Sequence, residues 1–175
     1  MKSMKLRIAV LLFLMVIFHA GLAQDKAKSN EFYNKAMTQF RLSHPQEAIK
    51  LLDQALSFDT LNYNAYIKRG FIKGSVSDYE GELGDYNTVL NFDSAHVQAY
   101  LSRGSAYSKL KKYNLAMNDF NKVLMFDASN YEAYNNRGFV KKAQGDFEGA
   151  CKDWNYSKKM GNQEAIIILK NNHCK

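Results

Sequence analysis

The sequence predicts an all-α protein made of helical repeats of equal length. Three different dipeptides each recur three times at one constant interval, in one common register. A single proline in 175 residues agrees with a chain that is helical over most of its length, because proline disrupts the interior of a helix. The recurring dipeptides are Arg69-Gly70, Arg103-Gly104 and Arg137-Gly138; Phe58-Asp59, Phe92-Asp93 and Phe126-Asp127; and Ala65-Tyr66, Ala99-Tyr100 and Ala133-Tyr134.

The first 23 residues differ from the repeats and have the pattern of a secretion signal. Three basic residues precede an apolar run, and Gly21 and Ala23 then supply the small side chains that a signal peptidase recognises before Gln24. We therefore expect a cleaved signal peptide at 1–23, a short linker at 24–28, and an exported protein that is periplasmic or extracellular.

The alternative to cleavage is a permanent membrane anchor. The apolar stretch Ile8–Ala23 has only 16 residues, and a helix needs about 20 to span a bilayer, so we expect no stable membrane span after cleavage. Removing the three basic residues of the signal leaves 21 basic against 17 acidic residues, so the net charge falls from +7 to +4. A weakly basic chain without a dense basic run does not indicate nucleic-acid binding.

The repeated motifs resemble those of the tetratricopeptide repeat family over roughly residues 29–162. In that family each repeat has two antiparallel helices, A and B, and successive repeats stack into a superhelix. The resemblance implies a right-handed α-α superhelix (a solenoid) of about four helix-turn-helix repeats, at 29–62, 63–96, 97–130 and 131–164, with a capping helix and tail at 163–175.

The side-chain pattern of the repeats also has a direct physical explanation. Two helices approach closely where both have small side chains, and large residues one turn away fill the space beside the crossing. Each pair of helices then exposes an apolar face that the next repeat covers. The small positions are Ala36, Gly70, Gly104 and Gly138 in helix A and Ala48, Glu82, Ala116 and Ala150 in helix B; the large ones are Phe32, Tyr66, Tyr100 and Tyr134, and Leu52, Tyr86, Phe120 and Trp154.

Proline usage departs from the family pattern. Pro45 falls in the first turn of helix B of repeat 1, where a proline is tolerated. The proline that usually ends helix B is missing, and we expect Asp59, Asp93 and Asp127 to cap the following helices instead.

Repeat 2 departs further, because Glu82 stands at a small position, near Gly74 where helix A normally carries an aromatic residue. We interpret Glu82 as a glutamate that points to solvent in a degenerate repeat. The alternative is a local widening that forms a binding notch.

Three arginines are each followed by an aspartate at one fixed spacing, whereas repeat 1 has neither residue. Guanidinium and carboxylate groups can pair through two hydrogen bonds, so we expect structural ion pairs. The spacing does not distinguish a pair within one repeat from a pair between repeats, and Asp59, Asp93 and Asp127 are competing partners. The expected pairs are Arg69 with Asp85, Arg103 with Asp119, and Arg137 with Asp153.

Cys151 and Cys174 are the only cysteines, and in an oxidising compartment a pair of cysteines is more often a disulfide than a metal site. Cys151 lies in the last helix B, and Cys174 lies just beyond the capping helix, so we expect a disulfide that joins the cap to the last repeat. The stretch 166–169 is more apolar than a cap requires. These apolar side chains therefore either pack within the cap or form a homodimer contact through the capping helix.

No motif indicates catalysis, a cofactor or a metal. The sequence has no glycine-rich phosphate loop and no nucleophile elbow. His44, His96 and His173 are scattered, without the spacing of a zinc site. We expect no enzyme, no cofactor and no metal site.

In the family, ligands commonly lie on the concave surface formed by the A helices. There, amide side chains can hydrogen-bond to a peptide backbone and aromatic side chains offer apolar contacts. Chaperone-binding members hold a C-terminal carboxylate with a Lys/Asn/Arg clamp, which is not matched here because Ile67, Leu101 and Ser102 occupy its places. The implied groove residues are Tyr33, Asn34, Arg41, Asn64, Lys68, Phe71, Gln98, Ser102, Lys109, Asn135, Asn136, Phe139 and Lys142.

We therefore expect a non-catalytic interaction scaffold that binds a peptide or a partner protein in this groove. The alternative is an accessory subunit of an envelope enzyme or transport complex, which binds through the convex face or the C-terminal cap.

Overall fold

The computed structural model describes residues 2–174 of the chain, and their side chains from residue 22 onward. Within these residues the regular structure consists of helices and no strands, which confirms the predicted all-α helical solenoid. The helices are α1 (Lys2–Arg41), α2 (Pro45–Phe58), α3 (Tyr63–Ser75), α4 (Tyr79–Phe92), α5 (Val97–Lys109), α6 (Tyr113–Phe126), α7 (Tyr131–Ala143), α8 (Phe147–Lys159) and α9 (Glu164–Asn171).

The chain divides into two compact units, Met1–Ala65 (unit 1) and Tyr66–Lys175 (unit 2). In unit 1, α2 begins at Pro45, as expected for a proline at the first helical position. The small residues Ala36 of α1 and Ala48 of α2 are both fully buried. Their small side chains allow α1 and α2 to approach closely.

The N-terminal part of unit 1 differs from one expectation. Residues 24–28, which the sequence predicts to be a linker, are helical and belong to α1. They contain no glycine or proline that would end the helix. The structure does not describe the side chains of residues 1–21, which make up most of the predicted signal peptide. Cleavage of this segment stays a prediction. Among the described residues, no helix combines the length and apolar character needed to cross a membrane.

In unit 2, the large residue of each second helix lies against the glycine of the first. A Cβ atom added at Gly104 would come within 2.8 Å of the Phe120 ring, and one added at Gly138 would come within 2.5 Å of Nε1 of Trp154. Phe120 and Trp154 have no exposed surface. Glycine is required at these crossings because the facing ring occupies the space of a side chain.

The turns between repeats use a different capping residue from the predicted one. Asp93 and Asp127 lie after the ends of α4 and α6, where their Oδ1 atoms accept hydrogen bonds from the backbone N–H of Ala95 and Ser129 at 3.0 Å. The following helices are capped three residues later, by His96 Nδ1 and Asn130 Oδ1. Asp59 likewise accepts from the N–H of Leu61. The prediction that these aspartates cap the next helix is therefore wrong; they stabilise the turn before it.

The end of unit 2 is closed by α9. Gly161 adopts φ of +104°, a left-handed conformation that ends the preceding helical segment. Ala150, Trp154 and Leu169 form a buried cluster between α8 and α9. The expected disulfide between Cys151 and Cys174 is present, with the Cα atoms 5.6 Å apart, so α8 is covalently joined to the tail that follows α9.

Candidate functional site

The predicted groove residues of unit 2 lie on the first helices of the repeats, α3, α5 and α7. Six of these side chains are exposed and three are half-buried, so each can reach solvent. We call the surface that they define the A-helix surface. The exposed residues are Lys68, Phe71, Gln98, Lys109, Phe139 and Lys142, and the half-buried ones are Ser102, Asn135 and Asn136.

The other four predicted residues belong to unit 1. Asn34, Arg41 and Asn64 are exposed, and the guanidinium of Arg41 donates a hydrogen bond to Thr38 Oγ1 at 3.3 Å. Tyr33 is half-buried, and burial raises the pKa of its phenol.

A cavity of about 370 Å³ opens on the A-helix surface between α5 and α7; we call it the α5–α7 cavity. Asn136 Nδ2 donates a hydrogen bond to Ser105 Oγ at 3.3 Å and so links the two helices. The ring of Phe139 packs edge-on against Trp154, with ring centroids 5.3 Å apart, yet remains 45% exposed. The cavity is lined by Ser105, Ser108, Lys109, Phe120, Asn136 and Phe139.

A second cavity, of about 390 Å³, lies between the start of α7 and the turn that leads into α9; we call it the cap cavity. Asn136 borders this cavity as well as the α5–α7 cavity. Oδ1 of Asn135 is buried and has no hydrogen-bond partner. The cavity is lined by Tyr131, Glu132, Asn135, Asn136, Gly161, Asn162, Gln163 and Glu164.

Glu82 does not point to solvent, so the interpretation favoured by the sequence is wrong. Its residue surface is only 7% exposed, and its carboxyl group lies over Gly74, where an added Cβ atom would be 2.6 Å from Cδ of Glu82. The carboxyl fills the space of the side chain that Gly74 lacks, which leaves no open notch at that point. Burial raises the pKa of Glu82 to about 7, opposed by the positive charge of Lys109.

Each of the three arginines pairs with the expected aspartate, on the second helix of its own repeat. The shortest N–O distances are 2.6 Å for Arg69 and Asp85, 2.7 Å for Arg103 and Asp119, and 2.8 Å for Arg137 and Asp153. The aspartates are buried, and each arginine donates through both Nε and a terminal nitrogen. These charges are therefore part of the packing of the repeats and do not lie free in a site.

Two of these arginines also connect neighbouring repeats, through asparagines that the sequence reasoning missed. Arg103 donates to Asn87 Oδ1 and Arg137 donates to Asn121 Oδ1, both at 2.7 Å. The asparagines lie on the second helix of the preceding repeat. The signal was present in the sequence, since each asparagine precedes its arginine by the same spacing that separates the arginine from its aspartate.

Metal-binding geometry is not found in the part of the chain that the structure describes, where no three His, Cys, Asp or Glu side chains come together. The chemistry available on the A-helix surface is hydrogen bonding by amides and hydroxyls, charge pairing, and apolar contact.

The comparisons with known proteins agree with this architecture. Residues 97–130, which contain α5 and α6, match the family model described as tetratricopeptide repeat. No curated protein sequence matches the chain.

The solved structures that are similar to the chain include the following three. A tetratricopeptide repeat protein from Parabacteroides merdae has 26% identity and a TM-score of 0.75, with 83% of this chain and 59% of that chain covered. YrrB, a tetratricopeptide repeat protein with an unusual peptide-binding site, has 14% identity and a TM-score of 0.75, with 94% and 89% covered. The first such domain of Spaghetti (RPAP3), bound to an HSP90 peptide, has 22% identity and a TM-score of 0.65, with 69% and 95% covered. The chain therefore carries a tetratricopeptide repeat at 97–130 within the helical solenoid fold of tetratricopeptide repeat proteins.

Proposed function

We propose that the chain is a non-catalytic interaction scaffold that binds a peptide, or a short segment of a partner protein, on the A-helix surface. The observation that carries this proposal is the α5–α7 cavity, where one opening combines an exposed aromatic ring, a half-buried amide and an exposed ammonium group. These groups are Phe139, Asn136 and Lys109.

An extended peptide offers backbone hydrogen-bonding groups and side chains at regular intervals, and the cavity has a counterpart for each. Asn136 and the hydroxyl groups of Ser105 and Ser108 can bond to backbone N–H and C=O groups. The Phe139 ring can cover an apolar side chain. Because Phe139 already packs against Trp154, little side-chain freedom is lost when a ligand covers it.

The charge of this surface favours a ligand with an acidic group near Lys109. Lys109 lines the cavity, and its Nζ lies 4.8 Å from the centroid of the Tyr79 ring. YrrB, which is similar in fold, has an unusual peptide-binding site, and the similar Spaghetti domain is bound to an HSP90 peptide; both support a peptide ligand of some kind here. The residues of a Lys/Asn/Arg clamp are absent at the matching positions, so the proposal does not extend to the HSP90 peptide.

Selection of peptides from a displayed random library tests the proposal. We expect selected peptides to lose at least about tenfold in affinity on Phe139→Ala, a loss of about 1.4 kcal/mol. Phe147→Ala is the matched control, because Phe147 lies on α8 and is exposed to a similar extent, 44% against 45%. If selected peptides bind the Phe139→Ala and Asn136→Ala variants as well as the unchanged protein, the A-helix surface is not the binding site.

We also propose that the protein is exported, to the periplasm or the cell exterior. The proposal is supported by the signal-like pattern of residues 1–23 and by the Cys151–Cys174 disulfide, a bond typical of oxidising compartments. Mass spectrometry of protein isolated from the cell envelope tests it, and a mature N-terminus at Gln24 is expected. Protein recovered intact from the cytosol would contradict the proposal.

A second candidate function is favoured by α9. Ile166 and Ile167 are 47% and 61% exposed on this short helix, which leaves two large apolar side chains beside each other in solvent. In this alternative the protein is an accessory subunit that docks through its cap, either to a larger complex or to a second copy. This alternative would be supported if Ile167→Ala abolished partner binding or self-association while Phe139→Ala left both unchanged. Light scattering coupled to gel filtration distinguishes self-association from docking to another protein.

A further inference from the structure

We propose that the Cys151–Cys174 disulfide makes α9 a redox-controlled cap, which is released when the bond is reduced and then uncovers the side of α8 that carries Trp154. The inference goes beyond the proposed function, because it concerns the end of unit 2 and holds whatever the A-helix surface binds. It follows from the few other contacts that hold α9, from the surface that α9 covers, and from the accessibility of the bond.

The helix α9 is attached less firmly than the helices in the corresponding places of the preceding repeats. It follows α8 as α5 follows α4 and α7 follows α6, but it has 8 residues, against 13 in each of these two. Its buried residues are Ala165 and Leu169, whereas α5 has four buried residues and α7 has three. Isolated helices this short are unstable in water, so α9 depends on what joins it to α8.

The arginine that ties α5 to the preceding repeat has no counterpart in α9. Arg103 of α5 donates to Asn87 Oδ1 of α4 at 2.7 Å. Asn155 stands at the matching position of α8, but Asn171 stands in α9 where the arginine would be. Asn155 Nδ2 donates within its own helix, to the C=O of Cys151 at 3.0 Å. The link that joins α4 to α5 is therefore not formed between α8 and α9.

The two ends of α9 are held in different ways. Before its start, Asn162 Nδ2 donates to Ser157 Oγ at 2.9 Å, so the turn that leads into α9 is bonded to α8. Beyond its far end, the disulfide is accompanied by one exposed hydrogen bond, from Lys142 Nζ to Asn172 Oδ1. Breaking the S–S bond therefore frees the far end first, and α9 opens about the turn at 161–163.

The surface beneath α9 is apolar and contains the single tryptophan of the chain. Ala150, Trp154 and Leu169 form the buried cluster between α8 and α9, and Ile168 packs against it. Trp154 has no exposed surface, so the loss of the two α9 side chains exposes part of its ring. The same ring lies 5.3 Å from that of Phe139, centroid to centroid. The reduced form therefore gains apolar surface beside Phe139, at one end of the A-helix surface.

The bond is accessible to a reductant, because Cys151 and Cys174 are both half-buried and not fully enclosed. A small dithiol attacks one sulfur as a thiolate, forms a mixed disulfide and then closes on itself. The S–S bond of the protein thereby receives two electrons and two protons and becomes two thiols, while the dithiol becomes a cyclic disulfide. The exchange is reversible, so an oxidising disulfide closes the cap again.

Tryptophan fluorescence and amide hydrogen exchange of the full chain test the inference. On reduction with dithiothreitol, we expect acrylamide to quench Trp154 at least about twofold more strongly, and the amides of α9 to exchange at least about tenfold faster. Exchange in α5 and α6 should not change. The double variant Cys151→Ser, Cys174→Ser is the control, because it should resemble the reduced protein from the start and should not respond to dithiothreitol.

Three results would overturn the inference. Unchanged quenching and exchange on reduction would mean that the noncovalent contacts alone hold α9. Faster exchange throughout α3–α8 would mean that the bond stabilises all of unit 2 and not the cap in particular. If oxidised glutathione failed to restore the original quenching of Trp154, the release would not be a switch. None of these results bears on whether library peptides require Phe139, so the proposed function is tested separately.

Discussion

The carboxyl group of Glu82 in α4 lies over Gly74 in α3, so that an oversized side chain on one helix occupies the space of a missing one on its neighbour. The other repeats of unit 2 have a larger residue on the first helix and alanine on the second at the matching positions. These pairs are Ser108 with Ala116, and Lys142 with Ala150. The exchange keeps the crossing filled but places an ionisable group in the interior.

That placement predicts a pH-dependent stability. The pKa of Glu82 is raised to about 7 in the folded protein from 4.5, because burial disfavours the charged form. The stabilising contribution is therefore fully present below roughly pH 4.5 and is lost as the pH rises through about 7. The groups that act on Glu82 are Lys109 on α5, Asp78 before α4 and Tyr86 on α4.

Replacing Glu82 by glutamine, which resembles the protonated carboxyl, should remove this pH dependence. We expect the free energy of unfolding of the unchanged protein to fall by about 1–3 kcal/mol between roughly pH 5 and pH 8.5, and the Glu82→Gln variant to show a flatter profile. Urea unfolding followed by circular dichroism measures both. Glu80→Gln, on the same helix but exposed, should keep the original slope. Parallel profiles for Glu82→Gln and the unchanged protein would contradict the assignment.

The pairing of Gly74 with Glu82 should appear as an energetic coupling. Gly74→Ser alone is expected to destabilise the protein by about 1 kcal/mol, because the carboxyl must leave its packed position. In a Glu82→Ala background the serine should cost almost nothing, since repeat 3 already carries Ser108 with Ala116. A double-mutant cycle should give a coupling energy of about 0.5–1.5 kcal/mol. An equal cost of the serine in both backgrounds would show that the two positions are independent.

Arg103 joins three helices, and its loss should be costly. It donates to Asp119 on α6 and to Asn87 on α4, and Asp119 is buried. Arg103→Ala leaves that carboxylate without its partner, so we expect a loss of about 2–4 kcal/mol in the free energy of unfolding. Chemical denaturation provides the measurement. Lys152→Ala, which breaks an exposed pair with Glu148, should have little effect. Similar losses in the free energy of unfolding for both variants would mean that burial does not make the Arg103–Asp119 pair more important than an exposed one.

Two glycines should respond to alanine in opposite directions. Gly84 lies inside α4 with nothing within 4 Å of an added Cβ atom, so Gly84→Ala should stabilise the protein by about 0.5–1 kcal/mol. Gly145 has a φ of +88° in the turn between α7 and α8, so Gly145→Ala should destabilise it by about 1–2 kcal/mol. Thermal unfolding measures both changes. A shift in the same direction for the two variants would contradict these backbone assignments.

Much of the fold could be predicted because the repeat is a property of the sequence itself. The crossing of Gly104 with Phe120 and the pairing of Arg103 with Asp119 both follow from residues that recur in register. The position of the Glu82 side chain could not be predicted in this way, since Glu82 departs from the repeat pattern and two side-chain placements are physically possible. A glutamate at a small position can turn outward, or it can fill a gap on the neighbouring helix.

The candidate site was less accessible to sequence reasoning than the fold. The groove residues of α5 and α7 do border a cavity, but the cap cavity depends on Asn162 and Glu164, which follow the last complete helix pair. No repeated motif places these residues against Asn135. The capping aspartates were predicted wrongly because Asp93 and His96 lie only three positions apart, and the sequence does not show at which of them the helix begins.

The Cys151–Cys174 bond closes a covalent ring, with a sequence separation of 23 residues, around the turn at Gly161 and the whole of α9. A protease that cuts once inside this ring leaves both fragments attached to the same molecule. Mechanical tension applied at Cys174 passes through the sulfur atoms directly into α8, so the last helix cannot be peeled away before the final helix pair itself bears the load. A chain anchored or pulled at this end would therefore keep α9 attached to α8 until the last helix pair unfolds.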